Sequence, residues 1–366
     1  MKVVTVCGTR PEIIRLSEVI KRLDRFCEHV LVHTGQNYDP LLSDVFFTDL
    51  QLRPPDVHLG IEASSFAEQA GQIIARIGAE FERLQPDRVL VLGDTNSGLA
   101  AIVAARMRIP VFHMEAGNRC YDDRVPEEVN RRIIDHSSTI LLPYTERSKE
   151  NLVREGIERD RIFVTGNPIF EVLQAQGAGI DRSTALTRFG VEPGGYVLAT
   201  LHRAENVDAP ARLESFLTAL SRVGDEQKCP VLVSVHPRTA SKLSQFKLAP
   251  ASSRVVLLEP LGFLDFVKLE RHARVVLSDS GTVQEECAIF RVPNCTLRDV
   301  TERPETVECG SNILTGAATD DVLRGVRLAL ADGCDWDPPP EYLRRYVSRT
   351  VVGIVLGYLS VRHHGA

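Results

Sequence analysis

The chain has 366 residues, of which 43% are apolar and 25% are charged, a composition typical of a folded globular protein and not of a disordered one. Its length favours about two domains. The 43 Lys and Arg residues against 49 Asp and Glu residues give a formal net charge of −6, which argues against a nucleic-acid-binding protein with a basic face.

No segment reaches the ~18 consecutive apolar residues that a membrane-spanning helix requires. The N-terminal residues contain no apolar signal core and no cleavage site of small residues, so we expect a protein that is not exported. The eight cysteines are widely spaced and form no Cys-x-x-Cys pair. This spacing predicts reduced thiols in the cytoplasm and no metal site.

Short apolar runs rich in Val, Ile and Leu alternate with helical patterns along the chain. In the first half they predict strands at 3–6, 30–33, 89–92, 111–114, 140–142 and 162–165. In the second half they predict strands at 197–200, 231–235, 255–258, 275–277 and 294–297. The amphipathic stretches 13–23 and 66–84 predict helices, and the second opens with Ser65 and Glu68 at capping-box spacing.

Apolar strands that alternate with helices are typical of parallel sheets covered on both faces. Two such series predict an α/β fold of two doubly wound, Rossmann-like domains that face a cleft. We place the first domain at residues 1–167 and the second at 168–340. The segment 341–366 is predicted to contain a terminal helix that crosses back onto the first domain.

Polar residues follow most of the apolar runs. In open parallel sheets ligands bind beyond the carboxyl ends of the strands, so these residues are the candidates for function. The polar segments are Gly8-Thr9-Arg10, Gly93-Asp94-Thr95, Glu115-Ala116-Gly117, His202-Arg203-Ala204-Glu205-Asn206, His236-Pro237-Arg238, Asp279-Ser280-Gly281 and Thr301-Glu302-Arg303-Pro304-Glu305.

Two arginines and a helix start predict a site for a diphosphate. Arg10 and Arg303 follow strands, and Ser280-Gly281 opens a helix whose first N–H groups favour an anion. The alternative is that both arginines pair with neighbouring acids. The sequence contains neither Gly-x-Gly-x-x-Gly nor a Walker loop, which removes the main sequence argument for NAD or ATP.

Acidic residues follow two neighbouring runs of the first half. Asp94 and Glu115 come directly after apolar strands, where a carboxylate is costly unless it is used or paired. Glu127 and Glu128 begin a helix, where charges are usually solvated. Two or three acids around one carbon atom are what removal and return of a proton require.

Histidines end two successive runs of the second half. We interpret His202 and His236 as ligand contacts, although a single histidine is most often structural. Glu285 and Glu286 lie on the helix that follows Ser280, and one of them is expected to reach ribose hydroxyls, the role that an acid often has in nucleotide-binding folds. The alternative for Glu285 and Glu286 is a solvated surface pair.

Taken together, these motifs resemble the UDP-N-acetylglucosamine 2-epimerase family. The resemblance runs in order from residue 1 to about residue 330. It rests on the segments Gly8-Thr9-Arg10-Pro11-Glu12, Gly93-Asp94-Thr95, His113-Met114-Glu115-Ala116-Gly117, Pro126-Glu127-Glu128-Val129-Asn130-Arg131, Asp279-Ser280-Gly281 with Glu285-Glu286, and Thr301-Glu302-Arg303-Pro304-Glu305.

The resemblance implies a fold like that of the GT-B glycosyltransferases, with a UDP-sugar as substrate. It implies an isomerase that interconverts UDP-GlcNAc and UDP-ManNAc by eliminating UDP to give 2-acetamidoglucal and adding UDP back on the other face. No cofactor and no metal are implied. The family resemblance also implies a homodimer.

The resemblance assigns roles to thirteen residues. The implied catalytic residues are Asp94, Glu115, Glu127, Arg131 and His202. The implied UDP-binding residues are Arg10, His236, Ser280, Gly281, Glu286 and Arg303. The implied substrate-binding residues are Arg15 and Asn206. Which acid removes the proton from C2 stays open, with Asp94 and Glu115 as the first pair to test.

The sequence also departs from the commonest form of the family. The segment between Glu115 and Glu127 is shorter, position 15 is Arg, and residues 35–39 replace the polar run that binds a second, activating UDP-GlcNAc. These features resemble the branch that acts on modified sugars, such as UDP-2,3-diacetamido-2,3-dideoxyglucuronate or a 6-deoxy amino sugar, and Arg15 or Arg124 would favour a sugar carboxylate.

Three further alternatives stay open at this point. They are a glycosyltransferase of the same architecture, a hydrolysing epimerase that releases free N-acetylmannosamine, and a nucleotide-sugar sensor without activity.

Overall fold

The computed structural model describes residues 1–35, 40–63, 65–331 and 333–358. Residues 36–39 of the run 35–39 therefore lie outside the described residues. The described chain forms two compact units. Unit 1 contains Met1–Ala175 and the residues from Glu341 onward, and unit 2 contains Gln176–Pro340.

Unit 1 contains a six-stranded parallel sheet in the order β3-β2-β1-β4-β5-β6. Its strands are β1 Lys2–Cys7, β2 Glu28–His33, β3 Val57–His58, β4 Arg88–Leu92, β5 Val111–Met114 and β6 Ile140–Leu142. Its helices are α1 Arg10–Phe26, α2 Pro40–Asp49, α3 Phe66–Leu84, α4 Ala100–Arg106, α5 Pro126–Ser137, α6 Glu146–Arg154 and α7 Ile169–Ala175, with 3₁₀ turns at Asn96–Leu99 and Arg159–Arg161.

Unit 2 contains a second six-stranded parallel sheet in the order β12-β11-β10-β7-β8-β9. Its strands are β7 Val197–Leu201, β8 Val231–Val235, β9 Val255–Leu258, β10 Val275–Ser278, β11 Asn294–Thr296 and β12 Asn312–Leu314. Its helices are α8 Gly177–Arg182, α9 Ala185–Arg188, α10 Ala204–Val207, α11 Pro210–Gln227, α12 Pro237–Phe246, α13 Phe263–His272, α14 Gly281–Phe290, α15 Pro304–Glu308 and α16 Thr319–Ala331.

Both faces of the second sheet are buried, which explains its nearly continuous apolar strands. Val275 and Leu277 of β10 belong to one core cluster with Phe216 of α11. Val276 between them points to the opposite face and belongs to a cluster with Leu269 of α13. Successive residues of the strand therefore pack into two different hydrophobic cores, one on each face of the sheet. The predicted α/β class is confirmed.

The capping expectation for α3 is confirmed. The Ser65 hydroxyl accepts a hydrogen bond from the Glu68 backbone N–H at 3.3 Å, which satisfies one of the donors that the first turn of a helix leaves without an intrahelical partner.

The strand predicted at 162–165 is wrong. Ile162 makes only an isolated bridge to Leu141. The Phe163 and Thr165 N–H groups still donate to the Leu141 and Pro143 carbonyls at 2.9 and 3.0 Å, but β6 ends at Leu142 and Pro143 has no N–H to donate in return. The edge strands β3, of two residues, and β12, of three, were not predicted.

The C-terminal segment packs on unit 1. It consists of a 3₁₀ turn at Pro340–Leu343 and helix α17 at Val347–Gly357. The Ser348 backbone N–H and hydroxyl donate to the Glu171 carboxylate at 2.8 and 2.7 Å. The Arg88 guanidinium donates to the Tyr358 carbonyl at 3.0 Å. Among the described residues, no helix is both long and apolar enough to cross a lipid bilayer.

Candidate active site

The carboxyl ends of β4 and β5 bring the loops of Asp94 and Glu115 together in unit 1. Gly93 has φ +73°, Gly117 has φ +80° and Glu115 has φ +66°. The left-handed region is costly for a glutamate, and such residues persist where the surrounding structure holds them and are often found at functional sites. A Cβ atom placed on Gly93 would lie 3.8 Å from Glu115 Oε2, so the two loops are neighbours.

Glu115 is a buried carboxylate surrounded by donors. It forms a salt bridge with Arg15 of α1, whose guanidinium is also buried. The Tyr144 hydroxyl donates to Glu115 Oε2 and the Asn118 amide to Oε1, both at 3.3 Å. Burial removes the charges of Glu115 and Arg15 from water, and the free-energy cost of this removal is compensated only by such pairing.

Asp94 is held by Arg131 of α5. Arg131 Nε donates to Asp94 Oδ2 at 2.9 Å, and Nη2 lies 2.8 Å from the same oxygen. The Asn130 amide donates to the Asp94 backbone carbonyl at 3.0 Å. We refer to Asp94, Glu115, Arg15 and Arg131 as the acid cluster.

The neighbouring glutamates of α5 differ in their surroundings. Glu127 is half-buried in the first turn of the helix. Glu128 is buried and accepts hydrogen bonds from the Cys120 and Tyr121 backbone N–H groups at 3.1 and 3.0 Å and from Arg131 at 2.5 Å. Burial raises the pKa of Glu128, but these donors and the Arg131 charge outweigh it and leave the pKa below its usual range. Glu128 therefore holds the shortened segment after Glu115 in place.

Glu12 is a buried acid in unit 1 that sequence reasoning did not assign to the site. Its carboxylate accepts hydrogen bonds from the Gly8 N–H at 3.0 Å, the Thr9 hydroxyl at 2.7 Å and the Thr95 hydroxyl at 3.0 Å. Burial raises the pKa of Glu12 to about 7. Because Thr9 follows β1 and Thr95 follows β4, Glu12 links the loops at two adjacent strand ends.

In unit 2, Asp279 orders the loop that carries His202. Asp279 is fully buried and accepts hydrogen bonds from the His202 and Arg203 backbone N–H groups, both at 3.0 Å, and from the Asn206 amide at 3.0 Å. Its carboxylate also lies 2.9 Å from His202 Nδ1. Burial disfavours the ionised form of Asp279. The charge of His202 and the hydrogen bond from its ring outweigh burial and lower the pKa of Asp279 well below its usual range.

The structure brings the two predicted histidines together. The His202 and His236 ring centroids are 6.1 Å apart at the ends of the adjacent strands β7 and β8. His236 caps α12, since its Nδ1 accepts a hydrogen bond from the Arg238 N–H at 3.2 Å. Both rings therefore lie at the carboxyl edge of the second sheet, where ligands of such folds bind.

The predicted anion site at the start of α14 lies next to the Glu302 carboxylate. A Cβ atom on Gly281 would lie 2.7 Å from Glu302 Oε1, so only glycine fits there without a shift. Arg303 is buried and forms a salt bridge with Glu285. Ser280 is the N-cap residue of α14.

Glu286 lies beside a second buried acid. Glu286 is 3% and Glu270 is 0% exposed. Burial, and next the negative charge of Glu286, raise the pKa of Glu270 well above its usual range. The alternative reading of Glu285 and Glu286 as a solvated surface pair is therefore wrong for both residues.

Three other residues singled out in the sequence contact protein groups. Arg10 begins α1 with its guanidinium 5.6 Å from the centre of the Phe46 ring. Arg124 donates from Nε to Asp122 at 2.9 Å. Asn206 donates to Asp279 and to the Leu297 carbonyl.

The Asn206 side-chain oxygen also has a partner. It accepts a hydrogen bond from Arg212 Nε at 2.8 Å. Substrate binding by Asn206 therefore stays a prediction, because both ends of its amide are already in protein hydrogen bonds. In the described part of the chain, no group of three or more His, Cys, Asp or Glu side chains is arranged to hold a metal ion.

Comparison with known proteins places the chain in a family. The profile described as UDP-N-acetylglucosamine 2-epimerase matches residues 21–354. UDP-N-acetylglucosamine 2-epimerase from Methanocaldococcus jannaschii is 40% identical over 347 residues, which cover 93% of this chain and 95% of the relative. UDP-2,3-diacetamido-2,3-dideoxy-D-glucuronate 2-epimerase from Pseudomonas aeruginosa is 37% identical, with 90% of this chain and 92% of the relative covered.

Solved structures agree on the fold. The M. jannaschii enzyme in complex with UDP-GlcNAc and UDP has a TM-score of 0.92 and 38% identity, covering 97% of this chain and 99% of that one. Phytolacca americana UGT2, complexed with UDP-2fluoro-glucose and pterostilbene, has a TM-score of 0.55 at 11% identity, with 97% and 94% covered, and shows the fold alone.

Two parallel sheets with candidate functional side chains at their carboxyl edges define an α/β protein of the GT-B class. Within that class, the chain belongs to the UDP-N-acetylglucosamine 2-epimerase family. The enzyme is therefore an isomerase, as the sequence predicted.

Proposed function

We propose that this enzyme is a non-hydrolysing epimerase that interconverts UDP-GlcNAc and UDP-ManNAc. The C2–H bond of the sugar has no adjacent carbonyl group, so simple removal and return of the proton is a poor route. Elimination instead removes the C2 proton and breaks the C1–O bond, releasing UDP and leaving 2-acetamidoglucal. Addition of UDP to C1 and of a proton to the opposite face of C2 completes the inversion.

The observation that carries this proposal is the acid cluster. Asp94 and Glu115 each lie at the end of a parallel strand, and each is paired with a guanidinium from a helix. A guanidinium partner favours the ionised form of a carboxylate, the form that accepts a proton. Two carboxylates permit removal from one face and return from the other: the ionised one accepts the C2 proton, and the other, protonated from solvent, donates its proton to the opposite face of C2. Glu127 and Arg131 complete the proposed catalytic set in unit 1.

We assign the uridine diphosphate to residues whose chemistry favours an anion. The Ser280 hydroxyl and the Gly281 backbone N–H at the start of the ten-residue helix α14 suit a phosphate. Arg303, His236 and Arg10 are the further proposed phosphate and uridine contacts, and Glu286 is the proposed acceptor for the ribose hydroxyls. His202 supports the departing diphosphate, whose negative charge grows as the C1–O bond breaks.

The related candidate is epimerisation of a modified UDP-amino sugar. The P. aeruginosa relative is nearly as similar as the M. jannaschii relative, at 37% against 40% identity. However, the two arginines expected to favour a sugar carboxylate are already paired, Arg15 with Glu115 and Arg124 with Asp122. A sugar carboxylate would have to compete with an acid in either place, whereas the GlcNAc group carries no charge and needs neither arginine, so we favour UDP-GlcNAc.

We also propose that the enzyme is a cytoplasmic homodimer. Reduced thiols support the cytoplasm, because none of the eight cysteines, all within the described residues, is in a disulfide. The dimer rests on the family resemblance, and light scattering of the purified enzyme tests it.

A panel of UDP-sugars monitored by proton NMR tests the proposed reaction. UDP-GlcNAc is expected to give UDP-ManNAc until both reach equilibrium, and UDP-2,3-diacetamido-2,3-dideoxyglucuronate is expected to turn over more slowly. Asp94→Asn serves as the matched control, with a loss of about 100-fold or more in kcat and a retained fold. UDP accumulating in step with free sugar would instead identify a hydrolysing epimerase, and conversion of the diacetamido sugar alone would reassign the substrate.

A further inference from the structure

A buried histidine–aspartate pair lies directly behind the acid cluster. His113 of β5 and Asp135 of α5 are 1% and 0% exposed. His113 Nδ1 lies 2.8 Å from Asp135 Oδ1, and His113 Nε2 lies 2.8 Å from the Gly93 carbonyl oxygen. The ring therefore connects α5 to the loop that begins with Gly93 and continues with Asp94.

Asp135 connects the same pair to the other acid. Its Oδ2 accepts a hydrogen bond from the Gly117 N–H at 3.2 Å and lies 2.8 Å from Arg119 Nη2. Gly117 follows Glu115 by two residues in a turn where both have positive φ. The two buried side chains thus hold the backbone beside Asp94 and the backbone beside Glu115.

The hydrogen-bond pattern defines the state of the ring. Both ring nitrogens of His113 face oxygen acceptors, a carboxylate and a carbonyl, and neither acceptor can donate. Both contacts are satisfied only when the ring carries a proton on each nitrogen. The Asp135 carboxylate lies next to this ring, and Arg119 links Asp135 onward to Glu155, which bonds Arg119 at 2.8 and 2.6 Å.

The charges around Asp135 support this arrangement. Burial alone would raise the pKa of Asp135, but its hydrogen bond to and attraction by His113, together with Arg119, lower it below its usual range. Asp135 is therefore held as an anion between His113 and Arg119 and accepts the Gly117 N–H.

We propose that His113 is a positioning residue, whose doubly protonated ring, together with Asp135, fixes the distance between Asp94 and Glu115 that proton transfer at C2 needs. This inference rests on the proposed function, because it assigns both acids to the reaction. A misplacement of about 1 Å in such an arrangement can cost about 100-fold in rate.

Two substitutions distinguish the contact of His113 with Asp135 from its contact with Gly93. His113→Asn places an amide N–H near the position of Nδ1 and keeps the link to Asp135, but it loses the link to Gly93. His113→Gln places an amide N–H near the position of Nε2 and keeps the link to Gly93. We expect His113→Asn to lower kcat roughly 10- to 100-fold, with a smaller loss for His113→Gln. The KM for the UDP-sugar and the Kd for UDP should stay within about twofold in both variants.

Thr5→Val is the control for a purely structural effect. Thr5 is fully buried in the same sheet, and its hydroxyl bonds His29 at 2.9 Å, away from both acids. We expect this variant to lower the melting temperature and to leave kcat unchanged. Equal losses of kcat in Thr5→Val and in the His113 variants at matched melting temperatures would overturn the inference.

The wild-type enzyme supplies a readout that does not depend on folding of the variants. Nitrogen NMR of the ¹⁵N-labelled enzyme, with His113 assigned through its backbone, should show protons on both ring nitrogens, and a single protonated nitrogen would overturn the inference. A wild-type enzyme without turnover on any UDP-sugar would reject the proposed function. An active wild type with an undiminished kcat in His113→Asn would reject the positioning role alone.

Discussion

Glu12 makes the stability of unit 1 depend on pH in a direction opposite to that of an ordinary salt-bridged acid. Burial raises the pKa of Glu12 from 4.5 to about 7. Between these values the folded protein holds a proton that the unfolded chain has lost, so the folded state binds more protons. Stability therefore falls as the pH rises through this window, and the full cost is reached above about pH 7.

The size of the effect follows from the shift. One pKa unit corresponds to about 1.4 kcal/mol, so the free energy of unfolding should fall by roughly 3 kcal/mol between about pH 4.5 and pH 8 through this residue alone. Glu12→Gln has the same shape and does not titrate: its oxygen can accept from the Gly8 N–H and the Thr9 hydroxyl, and its NH2 group can donate to the Thr95 hydroxyl, which bonds the other oxygen of Glu12 in the wild type. The difference between wild type and Glu12→Gln isolates this contribution, because the other titrating groups are common to both proteins.

Urea unfolding followed by circular dichroism at several pH values measures this difference. We expect wild type to lose stability relative to Glu12→Gln as the pH rises, by roughly 3 kcal/mol over the whole window. Glu150→Gln, at an exposed position of α6, serves as the control. A difference between wild type and Glu12→Gln that does not change with pH would refute the reasoning.

Three further substitutions test the packing of the site. Gly281→Ala should weaken UDP binding about tenfold by calorimetry, because its Cβ would lie 2.7 Å from Glu302 Oε1; an unchanged Kd would remove α14 from the diphosphate site. Gly117→Ala should prevent folding or cost about 3 kcal/mol or more in thermal melts, because its φ is +80° and its Cβ would overlap the Ser148 carbonyl oxygen; wild-type stability would contradict this. Arg15→Gln removes one guanidinium of the acid cluster and should lower kcat about tenfold or more in a steady-state assay with an unchanged Kd for UDP, whereas an unchanged kcat would separate Arg15 from the reaction.

Most strands were predictable because buried parallel strands consist of continuous runs of apolar residues. The same rule brought His202 and His236 to adjacent strand ends, where the structure places them 6.1 Å apart. The strand predicted at 162–165 does not form because the neighbouring strand β6 ends before Pro143, which has no N–H for a further ladder hydrogen bond. Apolar content alone does not indicate whether a neighbouring strand is available.

The polar residues that support the site were not predictable in the same way. Glu127 and Glu128 are adjacent, and they point about 100° apart on a helix, so the spacing alone does not indicate which one is buried. The structure buries Glu128 and leaves Glu127 half-exposed. Glu12 and His113 lie inside the motifs on which the family resemblance rests. Their place in these motifs was the feature of the sequence that could have pointed to them. Thr95, which bonds Glu12, and Gly93 and Asp135, which bond His113, come from other segments of the chain, and a single sequence does not reveal such contacts.

Turnover of UDP-GlcNAc in deuterated water tests the central claim most directly. Elimination and re-addition must exchange the hydrogen on C2 with the solvent, so mass spectrometry and NMR should find deuterium at C2 of both UDP-GlcNAc and UDP-ManNAc, at a rate that falls in Asp94→Asn. Formation of UDP-ManNAc that retains the original hydrogen at C2 would contradict the proposed roles of Asp94 and Glu115.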